Sequence, residues 1–357
     1  MSRFGVYIHI PFCSKRCDYC AFATWTDRHH LQSAYVDACR AELARADLPR
    51  ATSVFVGGGT PSLLAASLLT SLVREVRTAD GAEVTVECNP DNVTPDLIRA
   101  YRDAGVTRIS LGVQSTVPHV LASLGREHDA GHVRQAVAAV RAAGIDTFNL
   151  DVIYGAAGES VDDWQATLRD VLALDPPHIS AYGLTVEAGT PLAAQPERHP
   201  DDDDQATKYL LAESMLSNAG LANYEISNWA RPGHECRHNT LYWSGDNYRG
   251  IGCAAHSHAS GRRWWNHRTP ERYVEAINTG RSAEGGAEEL DEPTRALERL
   301  QLALRTRDGV PAGALDESDP DLDRLIRRRG DRVVLTVEGR LLANEVAMRL
   351  QTLAQKP

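Results

Sequence analysis

Three cysteines crowd into eight residues near the start of the chain, in the run Cys13-Ser-Lys-Arg-Cys17-Asp-Tyr-Cys20. Thiolates are soft ligands, and a C-x3-C-x2-C loop offers enough of them to bind three irons of a 4Fe-4S cubane while the fourth iron keeps an open position. A structural zinc site usually wants four protein ligands, often as paired C-x2-C units, and no second pair stands nearby. Nor does a total of seven cysteines in 357 residues read as a secreted disulfide scaffold, which spreads an even number through a much shorter chain. An iron with an open position can be chelated by the amino and carboxylate groups of S-adenosylmethionine (SAM). Electron transfer from the cluster then breaks the carbon–sulfur bond and yields a deoxyadenosyl radical.

Such a loop needs a frame. Six β-branched runs, Val6–Ile10, Ser53–Val56, Glu83–Cys88, Arg108–Val113, Thr147–Ile153 and His178–Leu184, alternate with helical segments near Leu31–Ala46, Leu63–Arg77, Pro95–Ala104, Val133–Ala143 and Asp163–Leu174. Gly105 and Gly144 stand where left-handed helix caps are needed. Strands and helices in this rhythm predict an α/β fold with a parallel sheet and right-handed crossovers. Six units are fewer than a closed eightfold barrel, so the expectation is a partial (β/α)6 barrel over residues 1–225. The acidic run Asp201–Asp204 opens a seventh segment and reads as the N-terminal cap of a helix over Ala206–Ala219. Past Tyr224 the rhythm stops, and residues 226–357 are expected to form a smaller, mainly helical domain. It would close with Arg332–Thr336, a Glu338–Gly339 turn and a helix over Arg340–Leu350.

In a parallel barrel the loops after the strands build the active site. After the first strand comes the cysteine loop, and after the second Gly57-Gly58-Gly59-Thr60-Pro61. The third to sixth strands end in Glu87-Cys88-Asn89-Pro90, Gln114, Asp151 and Tyr182. The glycines suit close backbone approach to the SAM amine. Glu87, Gln114 and Asp151 can hydrogen-bond its ribose and amine, and Arg126 can pair with its carboxylate.

The formal net charge of −10 argues against a duplex nucleic-acid partner, since neutralising phosphates takes a concentrated basic surface. Arg327, Arg328 and Arg329 read as a solvated helix face. No apolar run is long enough to span a bilayer, and the first residues lack a secretory signal, so a cytoplasmic location is expected.

Taken in order, Tyr7-x-His9-Ile10-Pro11-Phe12-Cys13, Gly57–Pro61, Glu87-x-Asn89-Pro90, Gly112-Val113-Gln114-Ser115, Leu124-Gly125-Arg126 and Asn149-x-Asp151 resemble one branch of the radical SAM proteins. That branch holds oxygen-independent coproporphyrinogen III dehydrogenase and the HemW-type haem chaperones, and the resemblance covers essentially the whole chain. It implies that Tyr7, Gly58, Gly59, Thr60, Glu87, Gln114, Arg126 and Asp151 contact SAM, and that the second domain is HemN-like. Phe22 stands where the dehydrogenase carries a fourth cysteine, and only a few residues precede the first strand, which points to the chaperone side. So does His238-Asn239-Thr240-Leu241-Tyr242-Trp243, similar to the HN-x-x-Y-W signature of haem-binding members. In one reading His238 ligates haem iron beside Asn239, while Tyr242 and Trp243 stack on the porphyrin. In the other, His238 and Asn239 satisfy backbone groups at the domain junction and the aromatics fill a core. Cys236, Cys253, His256 and His258 are rival ligands. Cys253 and Ala254 occupy positions where the family segment is smaller or more flexible, and Gly155-Ala156-Ala157-Gly158 lacks the family's proline. Cys39 and Cys88 read as buried apolar residues.

The resemblance implies haem and haem-acceptor proteins as partners, an electron donor for the cluster, and peripheral membrane contact during haem delivery. The alternative is the dehydrogenase reaction itself, radical oxidative decarboxylation in porphyrin biosynthesis. No catalytic residue is assigned.

Overall fold

A computed structural model describes residues 3–352. Six parallel strands lie side by side in chain order: β1 Phe4–Ile10, β2 Ala51–Gly58, β3 Thr78–Cys88, β4 Arg108–Gln114, β5 Thr147–Tyr154 and β6 His178–Gly183. Each contains its predicted run, give or take a terminal residue. The helices α1 Gln32–Arg45, α2 Ala66–Glu75, α3 Pro95–Asp103, α4 Pro118–Ser123, α5 Ala130–Ala142, α6 Val161–Ala173 and α7 Asp202–Asn218 follow the strands. Only the short α4 escaped the sequence pattern. Asp201 caps α7 as expected, its side chain accepting from the Asp204 amide at 2.9 Å. Gly105 and Gly144 take the positive φ that ends α3 and α5.

Strand alternation explains how the barrel is filled. Val84, Val86, Ile109, Leu111, Phe148, Leu150, Ile179 and Ala181 belong to one buried core with the helices. The residues between them point the other way, so Glu87, Arg108, Ser110, Asn149, Asp151, His178, Ser180 and Tyr182 line a cavity of about 320 Å³. The sheet is apolar toward the helices and polar inside.

The sheet does not stop at six strands. Beyond β6 it continues into an antiparallel hairpin, β7 Ala222–Glu225 and β8 Asn228–Ala230. The predicted boundary at 225/226 falls between these two strands. At the opposite edge β9 Asn247–Ile251 pairs parallel with β1 and is followed by the antiparallel β10 His256–Ala259, β11 Arg262–Asn266 and β12 Glu284–Glu289. The later part of the chain thus adds strands to the barrel sheet as well as the helices α8 Arg237–Trp243, α9 Pro270–Asn278 and α10 Glu292–Leu304. Its short, mixed segments carry too little periodicity to reveal this, because the pairing with β1 spans some 240 residues.

A separate apolar cluster that includes Leu304, Leu322, Val333 and Val346 holds a three-stranded sheet, β13 Val310–Pro311, β14 Ile326–Arg329 and β15 Arg332–Leu335, against α11 Val337–Leu341 and α12 Ala343–Ala347. Two local expectations are corrected here. Arg327–Arg329 are exposed on a strand rather than a helix, and Glu338–Gly339 lie inside α11 because Thr336 caps it through the Gly339 amide. Among the described residues no helix is long and apolar enough to cross a membrane.

Candidate functional site

The cysteine loop leaves β1 and is pinned at its base by two backbone bonds, Cys13 N–H to Trp25 C=O at 3.1 Å and Trp25 N–H to Pro11 C=O at 2.7 Å. A turn closed from Cys20 N–H to Cys17 C=O brings the second and third cysteines back toward the first. Two sulfurs meet donors from other loops, the one after β2 and the one between α4 and α5: Thr60 Oγ1 lies 3.6 Å from Cys13 Sγ, and an Arg126 guanidinium nitrogen 3.7 Å from Cys17 Sγ. Burial pushes the Cys13 and Cys20 thiols up, so a cluster held at these sulfurs would displace protons. Among the described residues no three His, Cys, Asp or Glu side chains gather at the spacing of a single metal ion. A cubane places each thiolate on a separate iron, so this loop is not required to close on one ion.

Asn89 joins the donors together. Its side-chain N–H₂ reaches Thr60 Oγ1 at 3.5 Å, and its carbonyl oxygen accepts from Arg126 at 2.9 Å. One polar chain therefore runs from Cys13 through Thr60, Asn89 and Arg126 to Cys17. Arg126 also donates to Gly112 C=O at 3.0 Å, while its Nε is buried without a partner among the described residues. A buried guanidinium with an unused donor, beside the cysteines, suits an anionic group such as the SAM carboxylate. The residues present fit a 4Fe-4S cluster and SAM. When bound, these would supply one-electron chemistry.

The glycine run has a use that its sequence alone did not reveal. A β-carbon on Gly59 would stand 2.8 Å from the carbonyls of Ile10 and Phe12, and one on Gly58, at φ +113°, would strike the His9 ring. These glycines let the end of β2 close against the cysteine loop, with Gly59 N–H bonded to Ile10 C=O and Thr60 N–H to Phe12 C=O. Gln114 ends β4 with φ +62°, costly for a residue with a β-carbon, where the β4–β5 register slips. Strain of that kind at a strand end marks a site rather than a frame.

Inside the barrel, Glu87 accepts from the Gly58 amide at 3.0 Å, and Asp151 accepts from Ser110 Oγ at 2.8 Å and from Asn149 at 2.7 Å. Burial, with the Asp151 charge nearby, raises the Glu87 carboxyl to about 7, and burial raises Asp151 as well. Two carboxylates facing a cavity are suited to an ammonium or sulfonium ligand. Tyr7 stands over the cavity, its hydroxyl 3.0 Å from His9 Nδ1 and its ring stacked on Phe55. Sequence reasoning missed Ser110, Asn149, His178, Ser180 and Arg108 as lining residues, although polar groups at every second position of β4, β5 and β6 carried the signal.

The HN-x-x-Y-W segment is α8, and its residues part company. His238 is buried against Phe55 with both ring nitrogens engaged, Nδ1 with Ser53 Oγ and Nε2 with the Tyr242 hydroxyl, each at 2.9 Å. Burial lowers its pKa to about 3, which keeps the ring neutral. Neither sequence reading describes this arrangement in full: the His238 ring is held by two side chains rather than by backbone groups, and both its nitrogens are engaged. His238, Asn239 and Tyr242 all line the barrel cavity, whereas Trp243 lines a different cavity with Arg237, Arg307 and Arg332. Adjacent residues on a helix diverge by about 100°, so Tyr242 and Trp243 do not share one ligand face.

A second cavity, of about 590 Å³, adjoins the barrel cavity and shares Tyr7, Phe22 and Tyr242 with it. Its outer wall comes from β9–β11 and α10 and includes Tyr248, Ala254, His256, His258, Arg263 and Arg268. Phe22 is 68 % exposed at its rim. Ala254 takes φ +53°, which accounts for the smaller, more flexible residue that the sequence led us to expect there. Cys236 and Cys253 are buried away from this space, the latter bonded by the Tyr35 hydroxyl through its amide at 2.9 Å.

Comparison with known proteins agrees with this geometry. The Radical SAM superfamily matches residues 7–171. Over 368 aligned residues the chain is 42 % identical to a heme chaperone HemW of Mycobacterium tuberculosis, covering 97 % of this chain and 94 % of that protein. It is 30 % identical to the Bacillus subtilis heme chaperone HemW, covering 96 % and 97 %. Among solved structures, the coproporphyrinogen III oxidase HemN of Escherichia coli superposes with a TM-score of 0.85 over 97 % of this chain and 89 % of that one, at 22 % identity, a likeness of fold.

Proposed function

The chain belongs to the HemW family of radical SAM proteins, and from that membership we propose that it is a haem chaperone. It holds a 4Fe-4S cluster on Cys13, Cys17 and Cys20 and SAM at the barrel mouth, binds haem beside them, and passes the haem to an acceptor protein. The reading places it in the cytoplasm, with an electron donor to the cluster and peripheral membrane contact at delivery.

The observation that carries the reading is the cavity of about 590 Å³ opening directly beside the cysteine loop, with an exposed Phe22 at its rim and arginines on its outer wall. Aromatic surface beside the Arg268 guanidinium suits a macrocycle that bears carboxylates, while Arg263 on the same wall is paired with Glu298. In this reading Glu87 and Asp151 take the cationic part of SAM, Arg126 takes its carboxylate, and Gln114 and Tyr7 bound its pocket. Domain-wise, residues 1–225 serve the cluster and SAM, and residues 226–357 supply the outer wall of the cargo site.

The test is an anaerobic haem titration of the cluster-reconstituted protein followed by Soret absorbance. Saturable one-to-one binding is expected. Absence of saturation rejects the chaperone reading, and SAM-dependent conversion of coproporphyrinogen III propionates to vinyl groups would replace it with the dehydrogenase reading. Phe22 at the fourth-cysteine position favours the first outcome.

A further inference from the structure

Among the described residues three histidines line the 590 Å³ cavity, and one of them has both ring nitrogens without a hydrogen bond. His9 spends Nδ1 on the Tyr7 hydroxyl at 3.0 Å and Nε2 on Ala23 C=O at 2.8 Å. His258 spends Nδ1 on Asp246 C=O at 3.1 Å and Nε2 on the Gly261 amide at 3.3 Å. His256, exposed on β10, has no hydrogen bond from either nitrogen among the described residues. Its ring is stacked on Trp265, with centroids 5.6 Å apart and planes 30° from parallel, which restricts how it can turn. Partial burial and the Arg263 charge lower its pKa, so its lone pair is available at neutral pH.

The cations divide in the same way. Arg263 is committed to Glu288 at 2.8 Å and to Glu298 at 2.5 Å. Arg268, exposed on the same cavity, makes no ion pair or hydrogen bond among the described residues. Phe22 leaves most of its surface to solvent across the rim, where the backbone of the cysteine loop holds it. A free imidazole, a free guanidinium and an exposed aromatic face around one cavity match the three parts of haem: iron, propionate and macrocycle.

We propose that His256 is an axial ligand of haem iron in this cavity, with Arg268 receiving a propionate and Phe22 covering one edge of the ring. The assignment rests on the chaperone reading and goes beyond it by moving the ligand off the HN-x-x-Y-W helix. A His256 ring nitrogen donates its lone pair to iron and displaces a solvent ligand, and no covalent or redox change is needed. His238 then serves the site indirectly, as a positioning residue that fixes α8 and the Tyr242 hydroxyl.

The experiment titrates ferric haem anaerobically into the cluster-reconstituted wild type, His256→Ala, His238→Ala and Arg268→Ala, recording Soret position, haem electron paramagnetic resonance and far-ultraviolet circular dichroism. His256→Ala is expected to keep the wild-type fold, shift the Soret band and weaken haem by at least about tenfold, as loss of even an indirect ligand contact does. Free imidazole should restore the wild-type spectrum to that variant alone. Arg268→Ala should keep the spectrum and lose several-fold in affinity. A wild-type spectrum and affinity in His256→Ala, or loss of the axial signature in a folded His238→Ala, overturns the ligand assignment while leaving the chaperone reading in place. No saturable binding by the wild type rejects that reading and the assignment with it.

Discussion

The barrel interior and the adjoining cleft are built on opposite terms. Inside the barrel, most polar groups are paired: Asp151 with Ser110 and Asn149, Glu87 with the Gly58 amide, Asn89 with Thr60 and Arg126, while Arg108 and Arg126 each keep a buried Nε without a hydrogen-bond partner among the described residues. In the cleft, His256 and Arg268 have no partner among the described residues, and Phe22 is largely bare. Prepaired groups in a low-dielectric interior hold one ligand in one geometry. Unpaired groups on an open wall suit cargo that must arrive and leave. In the proposed reading, the difference separates a resident cofactor site from a transfer site within one continuous sheet.

The sharpest test of the interior is its cysteines. Cys17→Ser should abolish cluster reconstitution, read as loss of bound iron and acid-labile sulfide. Retention of both would dissolve the distinction. Asn89→Ala breaks the chain between Thr60 and Arg126 without touching a ligand, and should cost about 10–100-fold in cluster affinity or activity, read by iron competition with a chelator. Full affinity would make that network ornamental to the cluster.

The interior also predicts a pH dependence. Glu87 is raised to about 7 by burial and by Asp151, and only its ionised form attracts a cationic ligand. SAM affinity of the cluster-loaded protein should therefore rise with pH and level off above about 7, falling up to about tenfold per unit below it. Calorimetric titration from about pH 6 to pH 8 measures this, and Glu87→Gln should flatten the dependence. A flat profile in the wild type removes Glu87 from the SAM site.

Smaller effects divide the two histidines. His238→Ala strands buried partners at Ser53 and Tyr242, so it should lower stability by about 1–3 kcal/mol in denaturant unfolding. His256→Ala, being exposed, should leave the unfolding midpoint nearly unchanged. Equal destabilisation by both would erase the contrast. Last, Phe22→Ala should weaken haem several-fold, since one exposed aromatic face contributes about 1 kcal/mol, with no loss of cluster. Cluster loss would move Phe22 from the cargo side to the cluster side.

Much of the interior was legible before folding. Cysteine spacing, the βα rhythm and the polar strand ends named Cys13, Cys17, Cys20, Glu87, Gln114, Arg126 and Asp151, and the structure draws these to one end of one barrel. Asn89 was visible only as part of a motif, because its role is to bridge Thr60 and Arg126. The glycines were credited to ligand approach, and the packing of His9, Ile10, Phe12 and Cys13 against Gly58 and Gly59 gives them a further use that the sequence did not reveal. The cleft was far less legible. His256 stood among rival ligands with nothing in the sequence to rank them.

The amino-acid sequence by itself determined what repeats locally: strands of period two, the helices between them, and a loop whose thiols are three and two residues apart. Those depend on neighbours along the chain. Tertiary structure alone decided that β9 lies against β1, that Ser53 meets His238 across 185 residues, and that His256 is left with no partner among the described residues. Whether a buried nitrogen is spent or free depends on which distant strand lies beside it. Sheet order decides that, and periodicity does not encode it.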